Sequence, residues 1–384
     1  MQITKVKVKN LYGLHHYEIA FDEEACIKII HAPNGYGKTT LLKLIDYVMY
    51  YRLDEILPIP FTKFQIIFDQ CVSVEVIRHY DNTMQEIEYI ISESGQARHY
   101  RCFSEKGTVE KGITQQLDEK LSCLRMKMPI HLIRANRLLQ ENDDNGEMIP
   151  AVLRYAKELK DLMKNALARS AKVNEELDRN FPKRLLDIVG KAKDEKTLSY
   201  EKISSDLREI ENKRKQLEQV GLLLASTSQE VEITAQTPTY ILETLMLYIE
   251  ESKRKLSVFD ELAPRMALMQ ELINKRFTYK TMCLSQEEGF MFEVPYNGKL
   301  HADKLSSGEQ NELILIFELL FKSKVNALIL IDEPEISLHI AWQQSFLEDM
   351  EKIAALTGVK LIIATHSPDI INGRWDLTTG LEEC

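Results

Sequence analysis

The chain has 384 residues, 44% hydrophobic and 28% charged, with a formal net charge of -10. This is a globular profile, long enough for one large domain or two ordinary ones, and its acidity excludes a protein that coats nucleic acid non-specifically without excluding a local basic groove. No apolar run reaches membrane-span length and "MQITKVKVKN" is no signal peptide, while six scattered cysteines (Cys26, Cys71, Cys102, Cys123, Cys283, Cys384) without a CxxC pair fit free thiols in a reducing, cytoplasmic setting.

The first hundred residues read as strands around one helix. "ITKVKVKN" and "YEIAF" alternate like antiparallel strands, with Lys5, Lys7 and Lys9 on the wet face, and "IKIIH" is a short buried strand. After it, "TTLLKLIDYVMYYR" puts Leu41, Leu44, Ile45 and Val48 on one helical face. "VSVEVIRHY" and "QEIEYII" flank Asp81-Asn82-Thr83 and form an expected hairpin; "IHLIR" is a further strand ending near Arg134.

From about Pro150 to Arg276 the chain turns helical, charge-rich and glycine-poor. Ile203, Leu207, Ile210, Leu217 and Leu224 follow steps of four and three, interrupted by Arg214 and Gly221, which predicts a short coiled-coil-like helix of roughly 30 Å. "ASTSQEVEITAQTPT" (225–239) is the expected loop, and a second helical stretch over Tyr240–Lys275 carries Leu242, Leu245 and Ile249 on one side, with Pro264 as a break. Strand character then returns in "FTYKTMCL" and "GFMFEV", joined by a turn ending at Gly289, and continues through "LSSGEQNELILIFELLF", "ALILIDEPE" and "VKLIIATHS" as helix and buried strands.

Several of these segments carry chemistry. "HAPNGYGKTT" follows a strand and opens a helix, as a phosphate-binding loop must: its backbone N–H groups surround phosphates, Lys38 reaches the β/γ-phosphates, and the Thr39 hydroxyl ligates Mg²⁺. The usual G-x-x-x-x-G-K-[ST] spelling has Ala32 in place of its first glycine. Gly35 and Gly37 remain where the turn is crowded, and Ala32 sits where the loop leaves its strand, a position that tolerates a methyl group. "ALILIDEPE" is a buried strand ending in paired acids: Asp332 for the Mg²⁺ shell, Glu333 to polarise the attacking water. "LIIATHS" repeats the design and presents His366 33 residues after Glu333, as a sensor of the γ-phosphate. "KLSSGEQ" opens a helix with Ser306, Ser307 and Gly308 at its N-terminus and Glu309 against the dipole; Ser306 with Glu309 also fits a plain capping box.

Taken in order, "APNGYGKTT", "LSSGEQ", "LILIDEPE", "ISLH" and "ATHSP" resemble the RecF/SMC branch of ABC-type ATPases over residues 1–100 and 277–384. The run from "SSGEQ" to "ATHSPDIINGRWDL" is similar to small prokaryotic ATPases grouped with overcoming-lysogenization-defect proteins and with the ATPase subunits of the PARIS and Septu anti-phage systems. The resemblance implies an α/β fold: an ABC-type P-loop ATPase head of mixed sheet plus antiparallel β lobe, interrupted by a helical, short coiled-coil-like insert. The expected division is 1–149 (P-loop half of the head), 150–276 (insert) and 277–384 (signature, paired acids, switch histidine). It implies ATP and Mg²⁺ as cofactors, with nucleotide contacts from Asn34, Gly35, Tyr36, Gly37, Lys38, Thr39 and Thr40, and from Ser306, Ser307, Gly308 and Glu309 of the signature. Ser337, in the "ISLH" segment, would lie along a dimer seam. Ser307 departs from the usual signature glycine, and no glutamine loop is fixed by spacing: Gln140 is the candidate and Gln70 its competitor.

In such a family the signature closes the site of a second molecule, so two ATPs are sandwiched in a homodimer that hydrolysis weakens, and a higher homo-oligomer is open. The chain ends eighteen residues after His366, too few for an added nuclease domain, and no HEXXH or HNH pattern appears. The expected role is therefore a slowly hydrolysing ATPase that holds or releases an effector (a nuclease or toxin encoded nearby) in anti-phage defence. A RecF-like DNA-repair ATPase is the alternative, which leaves DNA open as a partner; a transporter subunit fits poorly because of the insert.

Overall fold

The computed structural model describes the chain except residues 23–24, 81–84, 105–110, 135–137, 142–147, 192–198, 226–232, 235, 296–297 and 382–384. In chain order, β1 (Ile3–Leu11), β2 (His15–Ala20) and β3 (Ile27–His31) lead into α1 (Lys38–Met49) and the short α2 (Leu53–Ile56). Then come β4 (Lys63–Phe68), β5 (Val72–Tyr80), β6 (Gln85–Glu93), β7 (Gln96–Ser104), α3 (Lys111–Lys127) and β8 (Ile130–Ile133). The middle of the chain holds β9 (Leu139–Glu141), β10 (Met148–Pro150), α4 (Ala151–Lys191), α5 (Tyr200–Gln219), α6 (Thr239–Ser257) and α7 (Leu262–Arg276). β11 (Thr281–Ser285), β12 (Gly289–Val294), β13 (Gly298–Leu300), α8 (Ser307–Phe317), β14 (Leu328–Asp332), α9 (Ile340–Thr357), β15 (Lys360–Thr365), α10 (Pro368–Ile371) and β16 (Thr378–Gly380) complete it.

Two compact units result: residues Met1–Arg137 with Ser307–Cys384, and residues Leu138–Ser306. The first contains an antiparallel sheet in the order β2-β1-β4-β5-β6-β7 and a parallel sheet in the order β16-β3-β15-β14-β8. β5 and β6 pair antiparallel, as the hairpin reading requires; the Asp81-Asn82-Thr83 turn lies outside the described residues. β14 (LILID) is buried at every position and β15 (KLIIAT) at all but its first, the pattern of strands covered on both faces. The helical face predicted for α1 (Leu41, Leu44, Ile45, Val48) is buried, but so are Leu42, Tyr47 and Met49. The reason is that α1 packs on β8, β14 and β15 while sharing one apolar core with β1, β4 and β5. A helix covered on all sides is apolar on all sides.

The second unit corrects three expectations. The strands of 281–300 do not join the C-terminal half of the head: β12 packs on α4 and β11 on α7, so the boundary falls at Ser306/Ser307 instead of Arg276/Phe277. Gly289 marks how close that packing is, since a Cβ there would lie 2.0 Å from the Ala156 carbonyl oxygen, at a φ of +74°. The predicted apolar stripe buries Ile203, Ile210 and Leu217, but α5 stops at Gln219 and Leu224, 86% exposed, is outside it. Gly221 takes a positive φ and ends the helical path. Finally, the second helical stretch breaks at 258–261, before Pro264, which sits in the first turn of α7 where no intrahelical N–H is needed.

α5 and α6 do pack on each other, tied by Lys253 to Asp206 (2.8 Å) and Glu209 (3.0 Å), while α6 also packs on α4 through Arg184–Glu251 (2.6 Å) and Lys255–Asp178 (2.7 Å). The helices therefore form a three-helix layer in which Leu242 and Ile249 of α6 are buried. The loop expected at 225–239 falls largely outside the described residues.

Candidate functional site

Parallel strands carry their loops at their carboxyl ends, and adjacent strands bring adjacent loops together. β3, β15 and β14 are neighbours in that order, with His31 beside Thr365 and Asp332 beside Ala364. The loop that begins at Ala32, His366 and the paired acids Asp332 and Glu333 thus leave the same edge of one sheet.

The loop from Ala32 to Thr40 takes its shape from two left-handed residues, Gly35 (φ +92°) and Gly37 (φ +79°). Gly37 precedes the first residue of α1, and a Cβ there would meet the Leu11 side chain at 3.0 Å. Ala32 is 3% exposed and part of the apolar core, with no positive φ. Its methyl points into packing, so this position does not need the glycine of the usual spelling. Lys38, 4% exposed, donates from Nζ to the carbonyls of Ala32 (2.7 Å) and Pro33 (3.1 Å), the loop's own backbone. Asn34, Gly35 and Tyr36 are exposed at the crown of the loop. Tyr36 stacks on His15 at 5.7 Å, and its carbonyl accepts from the Tyr17 hydroxyl (3.0 Å). The Thr40 and Tyr12 hydroxyls lie 2.9 Å apart.

Thr39 bonds across to the next motif: its Oγ1 donates to Asp332 Oδ1 at 2.9 Å. Burial pushes the Asp332 carboxyl above its ordinary range; the Thr39 hydrogen bond pulls it down, and Glu333 and Glu335 push it further up. A buried carboxylate pressed by two other acids, with a hydroxyl beside it, is an oxygen-only donor set of the kind a hard dication stabilises. Among the described residues no group of three or more His, Cys, Asp or Glu is placed to hold a metal ion.

The family follows from one finding set on this geometry: the sequence profile described as "AAA ATPase domain" (AAA_15) matches residues 1–371. The chain belongs to the AAA ATPase domain family. Solved structures similar to this ATPase include the SMC head domain from Thermotoga maritima, at 11% identity and a TM-score of 0.38, over 99% of this chain and 94% of that one. Another is an SMC head bound to the C-terminal winged-helix domain of ScpA, at 12% identity and a TM-score of 0.42, with the same coverage. A comparison with curated proteins finds no match. None of the described helices is long and apolar enough to cross a membrane.

Around the paired acids, the ATPase holds Glu333 in a left-handed backbone conformation (φ +42°), with its N–H bonded to the Ala364 carbonyl at 2.9 Å. This is a non-glycine residue in a conformation that costs energy, at the end of a buried strand. His366 Nδ1 lies 3.7 Å from Glu333 Oε1. It lies closer, at 3.0 Å, to Glu335 Oε1, an acid in the 3-10 turn Pro334–Ser337 for which the sequence reading gave no role. Gln343 of α9 was missed as well: it donates to the Leu338 carbonyl (3.1 Å) and accepts from the Ser367 hydroxyl (2.8 Å). The second glutamate of "DEPE" was the available signal for Glu335, and the aromatic cluster of "LYGLHHY" was the one for Tyr12; Gln343 has none.

Ser307 opens α8, with Gly308 and Glu309 in its first turn, while Ser306 belongs to the other compact unit. Gln140 lies in β9, also in that unit, and its side chain is outside the described residues. Gln70, the competitor, is exposed in the β4–β5 turn with a φ of +61°. Ser337 ends the turn after Glu333, with its side chain outside the description.

Proposed function

We propose that this ATPase works as an ATP-dependent dimer, with two nucleotides shared between two heads, and that it controls an effector protein in anti-phage defence. The observation that carries the nucleotide chemistry is the Thr39–Asp332 bond at 2.9 Å, which joins the loop to the paired acids. Lys38 exchanges its loop carbonyls for the β- and γ-phosphates. Thr39 and Asp332 would hold Mg²⁺, which would supply charge neutralisation on the phosphate oxygens. Glu333 accepts a proton from the attacking water, and His366 donates to the γ-phosphate. Ser306, Ser307, Gly308 and Glu309 serve the partner's nucleotide, since a serine hydroxyl and the N–H groups of a helix start are phosphate donors. Ser337 lies along the seam, and Gln140 against Gln70 remains a choice for the glutamine loop.

The defence role rests on the resemblance of the signature-to-histidine run to overcoming-lysogenization-defect, PARIS and Septu ATPases. Its test is a phage challenge of cells that carry the gene with its natural neighbours. Protection that disappears in Lys38→Ala supports it; protection that is absent in the wild-type operon, or survives in Lys38→Ala, rejects it. Size-exclusion chromatography of Glu333→Gln with ATP and Mg²⁺ tests the dimer: a monomer at saturating ATP is incompatible with the sandwich.

A further inference from the structure

Glu335 is 8% exposed, and one of its oxygens does all the visible work. Oε1 accepts from the Thr365 hydroxyl at 2.6 Å and from the His366 peptide N–H at 2.9 Å, and His366 Nδ1 lies 3.0 Å from it. The first two contacts suffice to tie the turn after β14 to the end of β15. The third does something else, because the imidazole is 42% exposed and needs no partner for burial. Moreover, Nδ1 has two carboxylates to choose from. Glu333 Oε1 is at 3.7 Å, beyond hydrogen-bond reach, and one N–H cannot serve both acids.

We infer that Glu335 is a positioning residue for hydrolysis: it captures Nδ1 of His366, keeps the ring off Glu333, and leaves Nε2 as the nitrogen that meets the terminal phosphate. The inference rests on the proposed roles of Glu333 and His366. Its physical content is the orientation of a histidine by an acceptor on its other nitrogen, which fixes both tautomer and ring angle. Without Glu335, Nδ1–H has Glu333 as its nearest remaining carboxylate. A hydrogen bond there would engage the oxygen that a water molecule requires and turn Nε2 away. The three-way contact on Oε1 therefore protects two functional groups at once. Gln343 backs the turn from behind, with Nε2 near the Glu335 carbonyl (3.4 Å) and Oε1 holding Ser367.

The experiment uses the full chain and four variants: Glu335→Ala, Glu335→Gln, His366→Ala, and the Glu335→Ala/His366→Ala pair. Steady-state ATP turnover and equilibrium ATP binding are measured for each. Glu335→Ala should lower kcat by about tenfold to a hundredfold with unchanged ATP affinity, the range for losing a partner that orients a functional histidine. Glu335→Gln, whose carbonyl oxygen can accept the same N–H groups, should recover most of that loss. On the His366→Ala background, Glu335→Ala should cost nothing more. Wild-type turnover in Glu335→Ala beside a slow His366→Ala overturns the inference and leaves the histidine's role standing. Wild-type turnover in His366→Ala overturns that role itself. Equal losses from Glu335→Ala on both backgrounds also overturn the inference, since they mean that it acts on another group. If Glu335→Ala does not fold, the tautomer decides: ¹⁵N NMR of the wild-type protein, assigned by His366→Ala, should show Nδ1 protonated, and a bare Nδ1 overturns it.

Discussion

Replacing Thr39 by valine keeps the shape of the side chain and removes the hydroxyl that bonds Asp332 at 2.9 Å. A hydrogen bond to a charged, buried acceptor is worth about 1.5–3 kcal/mol, so Thr39→Val should destabilise the nucleotide-free protein by about 2 kcal/mol at neutral pH. For a domain of this size that lowers the melting temperature by about 4–8 °C, read by scanning calorimetry without Mg²⁺ or nucleotide. The pH dependence has a definite sign. Burial already holds the Asp332 carboxyl above its ordinary value, and the Thr39 bond acts to lower it, so the variant raises it further. An acid with a raised folded-state value is harmless while protonated and destabilises the fold as pH rises through that value. The gap between variant and wild type should therefore be smallest near pH ~4, about 1 kcal/mol for a neutral hydrogen bond, and widen towards neutrality. Thr39→Ser should melt like wild type. In an Asp332→Asn background, Thr39→Val should cost only the neutral amount at any pH. Identical melting of Thr39→Val and wild type at neutral pH, or a gap that widens in acid, would show that the bond does not carry this load.

Three further outcomes are expected. Glu333→Gln should retain ATP binding and lose hydrolysis by about 10²–10⁴-fold, the range for removing a general base; turnover equal to wild type sinks the assignment. Ser306→Arg should bind ATP yet stay monomeric, and mixing it with Lys38→Ala should restore part of the activity, because one composite site of the mixed dimer is intact. No recovery in a mixture shown by mass to contain the heterodimer counts against a signature acting in trans. Gly289→Ala forces a Cβ to within 2.0 Å of the Ala156 carbonyl at a left-handed backbone position, so it should destabilise the second unit by about 3 kcal/mol or more, visible as early loss of helix signal on heating.

The strands β3, β14 and β15 were legible because each is a short apolar run delivering a polar residue at a fixed place: β3 leads through its loop to Lys38, β14 ends in Asp332, and β15 stops just before His366. That pattern survives without knowledge of the rest of the fold. α1 was legible in position but not in extent of burial, since its second apolar side faces a sheet assembled from distant strands. The second unit was harder. The 41-residue α4 was read only as part of a long helical stretch and its core face was not named, although Val152, Tyr155, Leu159, Met163 and Ala166 recur at helical spacing, because Lys, Glu and Arg between them dilute the signal. Leu224 continued a periodic pattern past the point where Gly221 ends the helix, which shows that spacing alone cannot see a backbone turn. The packing of β12 on α4 brings Gly289 against Ala156, a contact between distant residues that no local window shows. Glu335 was overlooked for a different reason: its role is exerted on another side chain, and a sequence motif names residues, not the hydrogen bonds between them.

The order in which the strands are synthesised has a consequence for how the protein is made. Among the described residues β3, which leads into the Ala32–Thr40 loop, has as sheet neighbours β15 and β16; Ile27 pairs with Leu361, and Ile29 with Thr378. During translation β3 therefore emerges with both edges unpaired and stays so until residues 361–380 have been made. The second unit, continuous from Leu138 to Ser306, has no such delay and can collapse while the first waits. An exposed apolar strand waiting for a late partner is a template for wrong pairing. The ATPase unit is thus the part whose yield should depend most on chaperones and on synthesis rate.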